Sequence, residues 1–277
     1  MRIRATVAAL TGTLALSALV VPAAQAADGP SVPKFAPFKA NAPADEAVGD
    51  TKITKVTVNG GKNVVVGTTE KKKFTVAVTA TDAEGIYDGD AYLWHGSDID
   101  SDIDGLLFAD EDSATCKVVN ATTSTCTVTV TVDPKVDLYS NVMAGKWKVS
   151  AFAVGNDGDY IIKDTAGYAS MQRSARLTTN ASPEPVKKGK TLTVTGALTR
   201  ANWETSKYAG YTKQPVKLQY KKKGAASYST LKTITSDSKG NLKTTVKASA
   251  DGYFRYVFAG TSTTPAVTST SDFVDVN

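Results

Sequence analysis

The feature that most constrains the fold is a recurring short segment in which apolar and polar residues alternate. In residues 72–81, KKFTVAVTAT, the side chains of Phe74, Val76 and Val78 alternate with smaller or polar ones. A period of two places these three on one face of a β-strand. Similar segments occupy residues 53–58, 90–95, 114–119, 124–132, 145–154 and 160–178. With no convincing amphipathic helix between them, they predict a β-sandwich over residues 49–176.

The second half of the chain repeats this arrangement. In QPVKLQYKKK, Val216, Leu218 and Tyr220 point to one side of the predicted strand. The other strand-like segments occupy residues 190–200, 228–234, 241–248, 252–260 and 267–276. Pro183 and Pro185 interrupt the pattern between the halves. We therefore predict an all-β protein with a second sandwich over residues 177–277.

The N-terminal residues indicate export. Residues 1–26 combine a basic start at Arg2 and Arg4 with an apolar run and small residues at Ala24 and Ala26, as in a secretory signal peptide. Residues 27–48 are rich in Pro and Ala and predict a semi-extended linker. No later run approaches the roughly 18 apolar residues of a membrane span. We expect a secreted, extracellular protein without a membrane span.

The two halves carry opposite charge. The chain has a formal net charge of +5, but residues 49–176 hold 13 basic and 18 acidic side chains, whereas residues 177–277 hold 15 basic and 6 acidic ones. Such asymmetry indicates either different partners for the two halves or an attraction between them. The alternative is that lysines on outward strand faces keep sheet edges from pairing. No nucleic-acid-binding motif is present, so we expect no nucleic acid partner.

Two cysteines, Cys116 and Cys126, flank a predicted turn in CKVVNATTSTC. If the flanking segments pair as a hairpin, the two cysteines face each other. An exported protein meets oxidising conditions, so we expect a disulfide.

An acidic segment, DSDIDGLLFADE over residues 100–111, matches the spacing of a calcium-binding EF-hand loop. The predicted ligands are the carboxylates of Asp100, Asp102, Asp104 and Glu111 and the carbonyl oxygen of Leu106. Acidic side chains so close together repel one another unless a cation neutralises them. The flanking segments, however, predict strands where an EF-hand has helices. Calcium is thus the expected cofactor, and a solvated acidic loop is the alternative.

A second candidate site is the long loop RANWETSKYAGYTKQ over residues 200–214. Its rings Trp203, Tyr208 and Tyr211 combine an apolar body with a polar tip, which suits sugars, peptides or protein surfaces. The alternative is that these rings fold back and cap the end of the core.

The sequence carries little that indicates catalysis. His95 is the only histidine, no G-x-S-x-G motif occurs, and no His-Cys cluster could hold zinc. A pair of carboxylates acting in hydrolysis is the remaining enzymatic alternative, but a tight acidic loop is a poor match to carboxylates that face each other across a cleft. We therefore expect a protein that is not an enzyme.

Several segments of the second half carry a family resemblance: ASPEPVKKGKTLTVTGALTRANW, VKLQYKKKG, YSTLKTI and DGYFRYVFAG. They resemble the immunoglobulin-like modules of secreted actinobacterial proteins. As a whole, residues 49–277 are similar to uncharacterised secreted proteins of the Streptomyces type, some of them labelled calcium-binding. The resemblance implies two tandem immunoglobulin-like β-sandwiches and an exported location, and it implies little about activity.

Taken together, these features predict a secreted, non-enzymatic binding or adhesion protein with a structural calcium site in its first domain. The expected partner is a cell-wall polymer or an extracellular protein. The alternative function is inhibition of secreted proteases through an exposed loop.

Overall fold

The computed structural model describes residues 45–277, and almost all regular structure in this part is β-strand. The predicted signal peptide and most of the predicted linker lie outside the described residues. The strands of the first sandwich are β1 (Asp45–Val48), β2 (Lys52–Val58), β3 (Val64–Val66), β4 (Lys72–Thr81), β5 (Ile86–Asp98), β6 (Asp102–Leu107), β7 (Thr115–Asn120), β8 (Thr123–Val132), β9 (Gly145–Gly155) and β10 (Tyr160–Arg173). Short 3-10 turns cover Asn59–Gly61 and Asn141–Met143.

The first sandwich has the strand order of an immunoglobulin domain. One sheet runs β2-β4-β8-β7, and the facing sheet runs β1-β10-β9-β5-β6, with β3 parallel to the end of β10. Lettered in chain order, these sheets correspond to A-B-E-D and to G-F-C-C′. The immunoglobulin-like fold that the sequence predicts is therefore confirmed by the topology of the sheets.

The second sandwich follows the same plan with shorter strands. They are β11 (Ala175–Leu177), β12 (Asn180–Ser182), β13 (Thr191–Asn202), β14 (Lys207–Gly210), β15 (Pro215–Lys222), β16 (Ser229–Thr235), β17 (Asn241–Lys247), β18 (Gly252–Phe258), β19 (Val267–Thr268) and β20 (Asp272–Val274). One sheet runs β12-β13-β17, with β11 and β14 on the far half of β13. The other runs β16-β15-β18, with β19 and β20 on the outer side of β18.

Alternating side chains produce the first core. In β4 and β8, Val76 lies opposite Val128, and Val78 lies opposite Cys126, all of them buried. The intervening threonines face outward, which explains the Thr-Val alternation of these strands. Trp147 in β9 is fully buried at the centre of this core.

Aromatic residues fill the second core. Phe254, Tyr256 and Phe258 occupy alternate positions of β18 and are all buried. The hydroxyl of Tyr256 donates a hydrogen bond of 3.0 Å to the carbonyl oxygen of Val194 across the sandwich. The second core therefore satisfies its buried polar group internally.

One strand lies where the sequence predicts linker. Asp45–Val48 forms β1, which pairs antiparallel with the start of β10. Tyr160 of β10 also donates a hydrogen bond to the carboxylate of Glu46. The short segment has no alternating pattern of its own, and the unpaired edge of β10 makes it a strand.

Candidate functional site

The predicted calcium loop is a β-hairpin in the structure. Its first residues form the turn after β5, and Asp102–Leu107 forms β6, the C′ strand. An extended strand of six residues spans roughly 17 Å, whereas calcium binds its ligands at about 2.3–2.6 Å. Asp100 and Glu111 lie beyond opposite ends of this strand, so the hairpin does not wrap the five predicted ligands around one point.

Two of the predicted ligands have protein partners. The carboxylate of Asp102 accepts a hydrogen bond of 2.5 Å from the Ser97 hydroxyl. Asp104 lies 2.5 Å from Nδ1 of His95, on the neighbouring strand. Both contacts link β6 to β5, so these carboxylates stabilise the hairpin.

Two further predicted ligands, Leu106 and Glu111, contact the strand ladder and the opposite sheet. Leu106 pairs with Trp94 in the β5–β6 ladder. The Glu111 carboxylate accepts a hydrogen bond of 2.8 Å from the backbone N–H of Thr129, and bonds from this threonine hold the pKa of Glu111 below its usual value.

Asp100 is close to a different set of acids. Partial burial, together with the negative charges of Asp100, Asp45 and Asp98, raises the pKa of Asp164 from 3.8 to about 6. Carboxylates from β1, the hairpin tip and β10 therefore repel one another at this end of the first sandwich.

A second acidic group joins segments distant in sequence. Carboxylate oxygens of Asp50, Asp82 and Asp159 all lie within 4.8 Å of one another. Asp82 is buried and accepts a hydrogen bond of 2.5 Å from the Thr51 hydroxyl, and Asp159 accepts one from the backbone N–H of Asp50. The sequence predicts ordinary turns at Asp82 and Asp159. Only the pairing of β1 with β10 and of β2 with β4 shows that these two residues lie beside Asp50.

The predicted disulfide is confirmed. Cys116 of β7 and Cys126 of β8 are directly paired in the ladder, and their sulfur atoms are bonded. The bond ties edge strand β7 to the centre of its sheet.

The structure places the predicted aromatic residues of the 200–214 loop inside the molecule. Trp203 is 3% exposed and belongs to the core of the first sandwich, where its Nε1 donates a hydrogen bond of 2.9 Å to the Gly67 carbonyl oxygen. Tyr211 is 8% exposed and packs edge-on against Phe258 in the second core. Of the two alternatives from the sequence, this geometry favours rings that cap the cores.

Tyr208 lies between these two rings in sequence and is half-buried against the first core. The guanidinium of Arg176 lies 3.6 Å from the centre of its ring. Cation–π contact of this kind holds the ring at the joint between the sandwiches.

Two arginines occupy the joint. Nε of Arg173, at the end of β10, donates a hydrogen bond of 2.6 Å to the Ala201 carbonyl oxygen of the second sandwich. Burial, with a smaller contribution from the nearby charge of Arg200, lowers the pKa of Arg173 to about 10. The Arg200 side chain donates to Thr264 and stacks on the Tyr211 ring. The joint is therefore a packed, hydrogen-bonded contact.

Beside this joint lies a groove of about 770 Å³, which we call the junction groove. Its walls are residues of β2, the 3-10 turn with the following Lys62 and Asn63, the start of β9 and the end of β10. Thr261 and Ser262 of the second sandwich close one side. Gln172 joins the two parts, because its side-chain amide donates to the carbonyl oxygens of Thr261 and Ser262, at 3.0 and 3.2 Å.

The junction groove is basic although the first sandwich as a whole is acidic. Lys55, Lys62 and Lys146 line it, and no Asp or Glu is among the described residues of its lining. Tyr168 is 55% exposed, and the Lys146 ammonium lies 3.5 Å from the centre of its ring. Sequence reasoning missed this site because its lysines come from three separate segments, each with an ordinary outward-facing residue.

A smaller hollow of about 420 Å³ in the second sandwich offers a contrast. Lys188, Lys222 and Lys223 line it, but so does Asp251. The Asp251 carboxylate lies 3.4 Å from the Lys223 ammonium, so part of the positive charge there is neutralised.

No helix within residues 45–277 is long and apolar enough to cross a membrane.

No curated protein matches the chain.

Solved structures give weak likenesses. A marsupial T cell receptor aligns with a TM-score of 0.36 at 12% identity, covering 80% of this chain and 73% of that one. The D00-D0 domain of intimin aligns with a TM-score of 0.27 at 13% identity, covering 79% of this chain and 99% of that one. The BSP domain of a biofilm associated protein aligns with a TM-score of 0.25 at 10% identity, covering 85% and 52%. Scores this low establish no shared function, so the fold assignment rests on the strand order.

Part of the chain matches a known family. Residues 60–153, from just before β3 to near the end of β9, match the model of a family of unknown function (DUF5707). The match covers most of the first sandwich and less than half of the chain, and the second sandwich lies outside it.

Proposed function

We propose that this chain is a secreted, non-enzymatic binding or adhesion protein. Its partner is a cell-wall polymer or another extracellular protein. The cross-strand disulfide supports an oxidising location, since such bonds persist outside the cytosol. Two immunoglobulin-like sandwiches in tandem form a stable scaffold for a binding surface.

The observation that carries this proposal is the way the two sandwiches are joined. Tandem domains move relative to each other unless their interface is large and apolar. Here Ala201 and Trp203 of the second sandwich are buried within the core of the first. These buried residues, with the hydrogen bonds of Gln172 and Arg173, fix the surface that spans the joint, including the junction groove. A surface that is formed in advance binds at a lower cost of ordering.

The experiment is a retention assay with the purified protein, residues 27–277. Insoluble cell-wall material and immobilised extracellular matrix proteins serve as the two solid phases, and heat-unfolded protein serves as the control. We expect retention of the folded protein on one phase and none of the unfolded protein. Equal recovery of folded and unfolded protein in the unbound fraction from both phases would contradict the proposal.

Calcium binding by the first sandwich stays a prediction from the sequence. It is supported by the repulsion around Asp164, which a cation near Asp100 would relieve. A ligand at 100 times its dissociation constant should add about 2.7 kcal/mol to the free energy of unfolding. Thermal melts with calcium or chelator test this in the wild type, in Asp100→Asn and in Asp159→Asn. A shift lost only in Asp100→Asn assigns the ion to the hairpin tip, and a wild type that does not respond to millimolar calcium contradicts the prediction.

Inhibition of secreted proteases is the alternative function. It predicts that the protein slows at least one secreted protease at micromolar concentration and survives the incubation uncleaved. Progress curves for a panel of serine, cysteine and metalloproteases decide it, and unchanged rates throughout would remove this alternative.

A further inference from the structure

We propose that the junction groove binds a segment of an acidic polysaccharide, a chain of sugars that carry carboxylate groups. This inference rests on the proposed function, because it names the ligand class and the site of an extracellular binding protein. The volume of the junction groove, about 770 Å³, lies within the range of roughly 300–1,000 Å³ that is typical of small-ligand sites.

The first argument is charge. Lys55, Lys62 and Lys146 come from three different segments and line the same groove. Within the described residues, no carboxylate lies within ion-pair distance of these ammonium groups. Three uncompensated positive charges in one concave surface attract anions, and a groove focuses that attraction.

The surrounding charge makes the groove selective. Residues 49–176 carry a net excess of acidic side chains, so an anionic polymer is repelled by most of the first sandwich. In the groove, the three lysines attract such a polymer instead. On the first sandwich, a polyanion is thereby directed to the groove, since like-charge contacts elsewhere on that sandwich disfavour other modes of binding.

The second argument is the polar character of the lining. Asn63, Ser170 and Ser262 contribute amide and hydroxyl groups to the groove. Of the apolar side chains in the lining, Val58 and Ala169 are only 7% and 8% exposed, and Val56 is partly buried. Sugars present many hydroxyl groups that require donors and acceptors, whereas a peptide needs pockets for apolar side chains.

The third argument is Tyr168. Its ring is 55% exposed in the groove wall and lies against the Lys146 ammonium. An exposed tyrosine offers an apolar ring surface and a hydroxyl, and the C–H face of a sugar ring packs on such a surface. Lys146 and Tyr168 together suit a ligand built from sugar rings that carry negative charge.

A peptide strand is a poorer fit to the same wall. The register of β2 shifts between Ile53 and Lys55, at the end of the segment that borders the groove. Such a bulge disturbs the regular spacing of edge N–H and C=O groups that an added strand would need. An acidic polypeptide is therefore the competing ligand to exclude by experiment.

The test measures binding of oligogalacturonate, a polymer of carboxylated sugars, by isothermal titration calorimetry. The groove variant carries Lys55→Gln, Lys62→Gln and Lys146→Gln. The matched control carries Lys188→Gln, Lys222→Gln and Lys223→Gln, which removes the same charge from the hollow of the second sandwich. We expect the groove variant to lose at least about tenfold in affinity and the control less than about twofold, since distant charges are screened.

Additional measurements separate the contributions. Tyr168→Ala should lose about fivefold in affinity at high salt, where the lysine contribution is weakened. Dextran, an uncharged polysaccharide, should bind far more weakly than oligogalacturonate. The lysine variants should fold like the wild type, because all the substituted lysines are exposed. Thermal melts check that each variant is folded.

Three results would overturn the inference: equal affinity of the groove variant and the control, no binding of oligogalacturonate by the wild type, or tighter binding of polyglutamate in the same groove. The proposed function is judged separately. Wild-type retention on cell-wall material or matrix protein that persists in the groove variant would sustain the function and move its site elsewhere.

Discussion

The two sandwiches share one strand plan but complete their cores differently. The second core consists only of residues from its own sandwich, with Tyr256 and Phe258 at its centre. The first core includes Ala201 and Trp203, which the second sandwich donates. In apolar core packing, the dependence between the two is therefore one-sided. The second sandwich supports the first, and the family match covers only the part that receives this support.

The largest expected effect comes from removing the donated ring. Trp203→Ala should lower the free energy of unfolding of the first sandwich by about 3–5 kcal/mol, because it leaves a cavity and an unpaired Gly67 carbonyl oxygen. Amide hydrogen exchange in denaturant should show lower protection in β4, β8 and β9 and little change in β15 and β18.

The matching change in the second sandwich is Tyr211→Ala. This change removes a ring that packs on Phe258, so it should loosen the second sandwich first. If Trp203→Ala lowered the protection of β18 as much as that of β9, the one-sided dependence would be contradicted.

Periodicity alone predicted most of the strands and both sandwiches. Residues 72–81 and 124–132 alternate over ten and nine positions, and the structure has strands there, at Lys72–Thr81 and Thr123–Val132. Strands without a pattern of their own were missed. β1 and β3 are three or four residues long and exist because β10 offers them an edge.

The acidic hairpin shows why the site was harder to predict. In D-x-D-x-D, every second residue is a ligand in an EF-hand loop, and every second residue shares a face in a β-strand. The pattern therefore fits both, and the absence of flanking helices was the stronger signal. For Trp203, burial depends on a neighbouring sandwich, and no local pattern reports that contact.

The second prediction concerns the disulfide, which only the first sandwich contains. Cys116→Ala with Cys126→Ala should lower its free energy of unfolding by about 2–3 kcal/mol, because a short loop in the unfolded chain is no longer closed. Denaturant melts with and without a reductant measure the effect. Reductant should leave the unfolding of the second sandwich unchanged, and a shift of both transitions would contradict this separation.

The third prediction concerns the aromatic core of the second sandwich. Tyr256→Phe leaves the packing in place and removes the hydrogen bond to the buried Val194 carbonyl oxygen. We expect a loss of about 1–1.5 kcal/mol, the net contribution of one buried hydrogen bond. Tyr253→Phe, at an outward-facing position of the same strand, is the matched control and should change stability by less than about 0.5 kcal/mol. Equal effects of the two changes would show that the buried bond contributes nothing.

The fourth and smallest effect distinguishes how the sandwiches respond to acid. In the first, the pKa of Asp164 is about 6 in the folded state against an ordinary value of 3.8. Between those values the folded chain holds a proton that the unfolded chain has released, so this group makes the sandwich more stable as pH falls through that window. In the second, hydrogen bonds from Val276 and Lys223 lower the pKa of Asp251, and its contribution is lost as pH falls below 3.8.

Asp164→Asn tests the first half of this contrast. At pH 7.5, in buffer with chelator, the variant should be more stable than the wild type by about 1 kcal/mol, a value kept small because solvent screens this partly exposed group. At pH 4 the wild-type carboxyl group is itself neutral in the folded state, so the two curves should meet. Asp251→Asn should show the reverse pattern, with the wild type more stable at pH 7.5 and the difference shrinking in strong acid. Parallel curves for Asp164→Asn and the wild type from pH 7.5 to 4 would mean that burial and the neighbouring acids do not raise the pKa of Asp164. The electrostatic distinction between the sandwiches would then be lost.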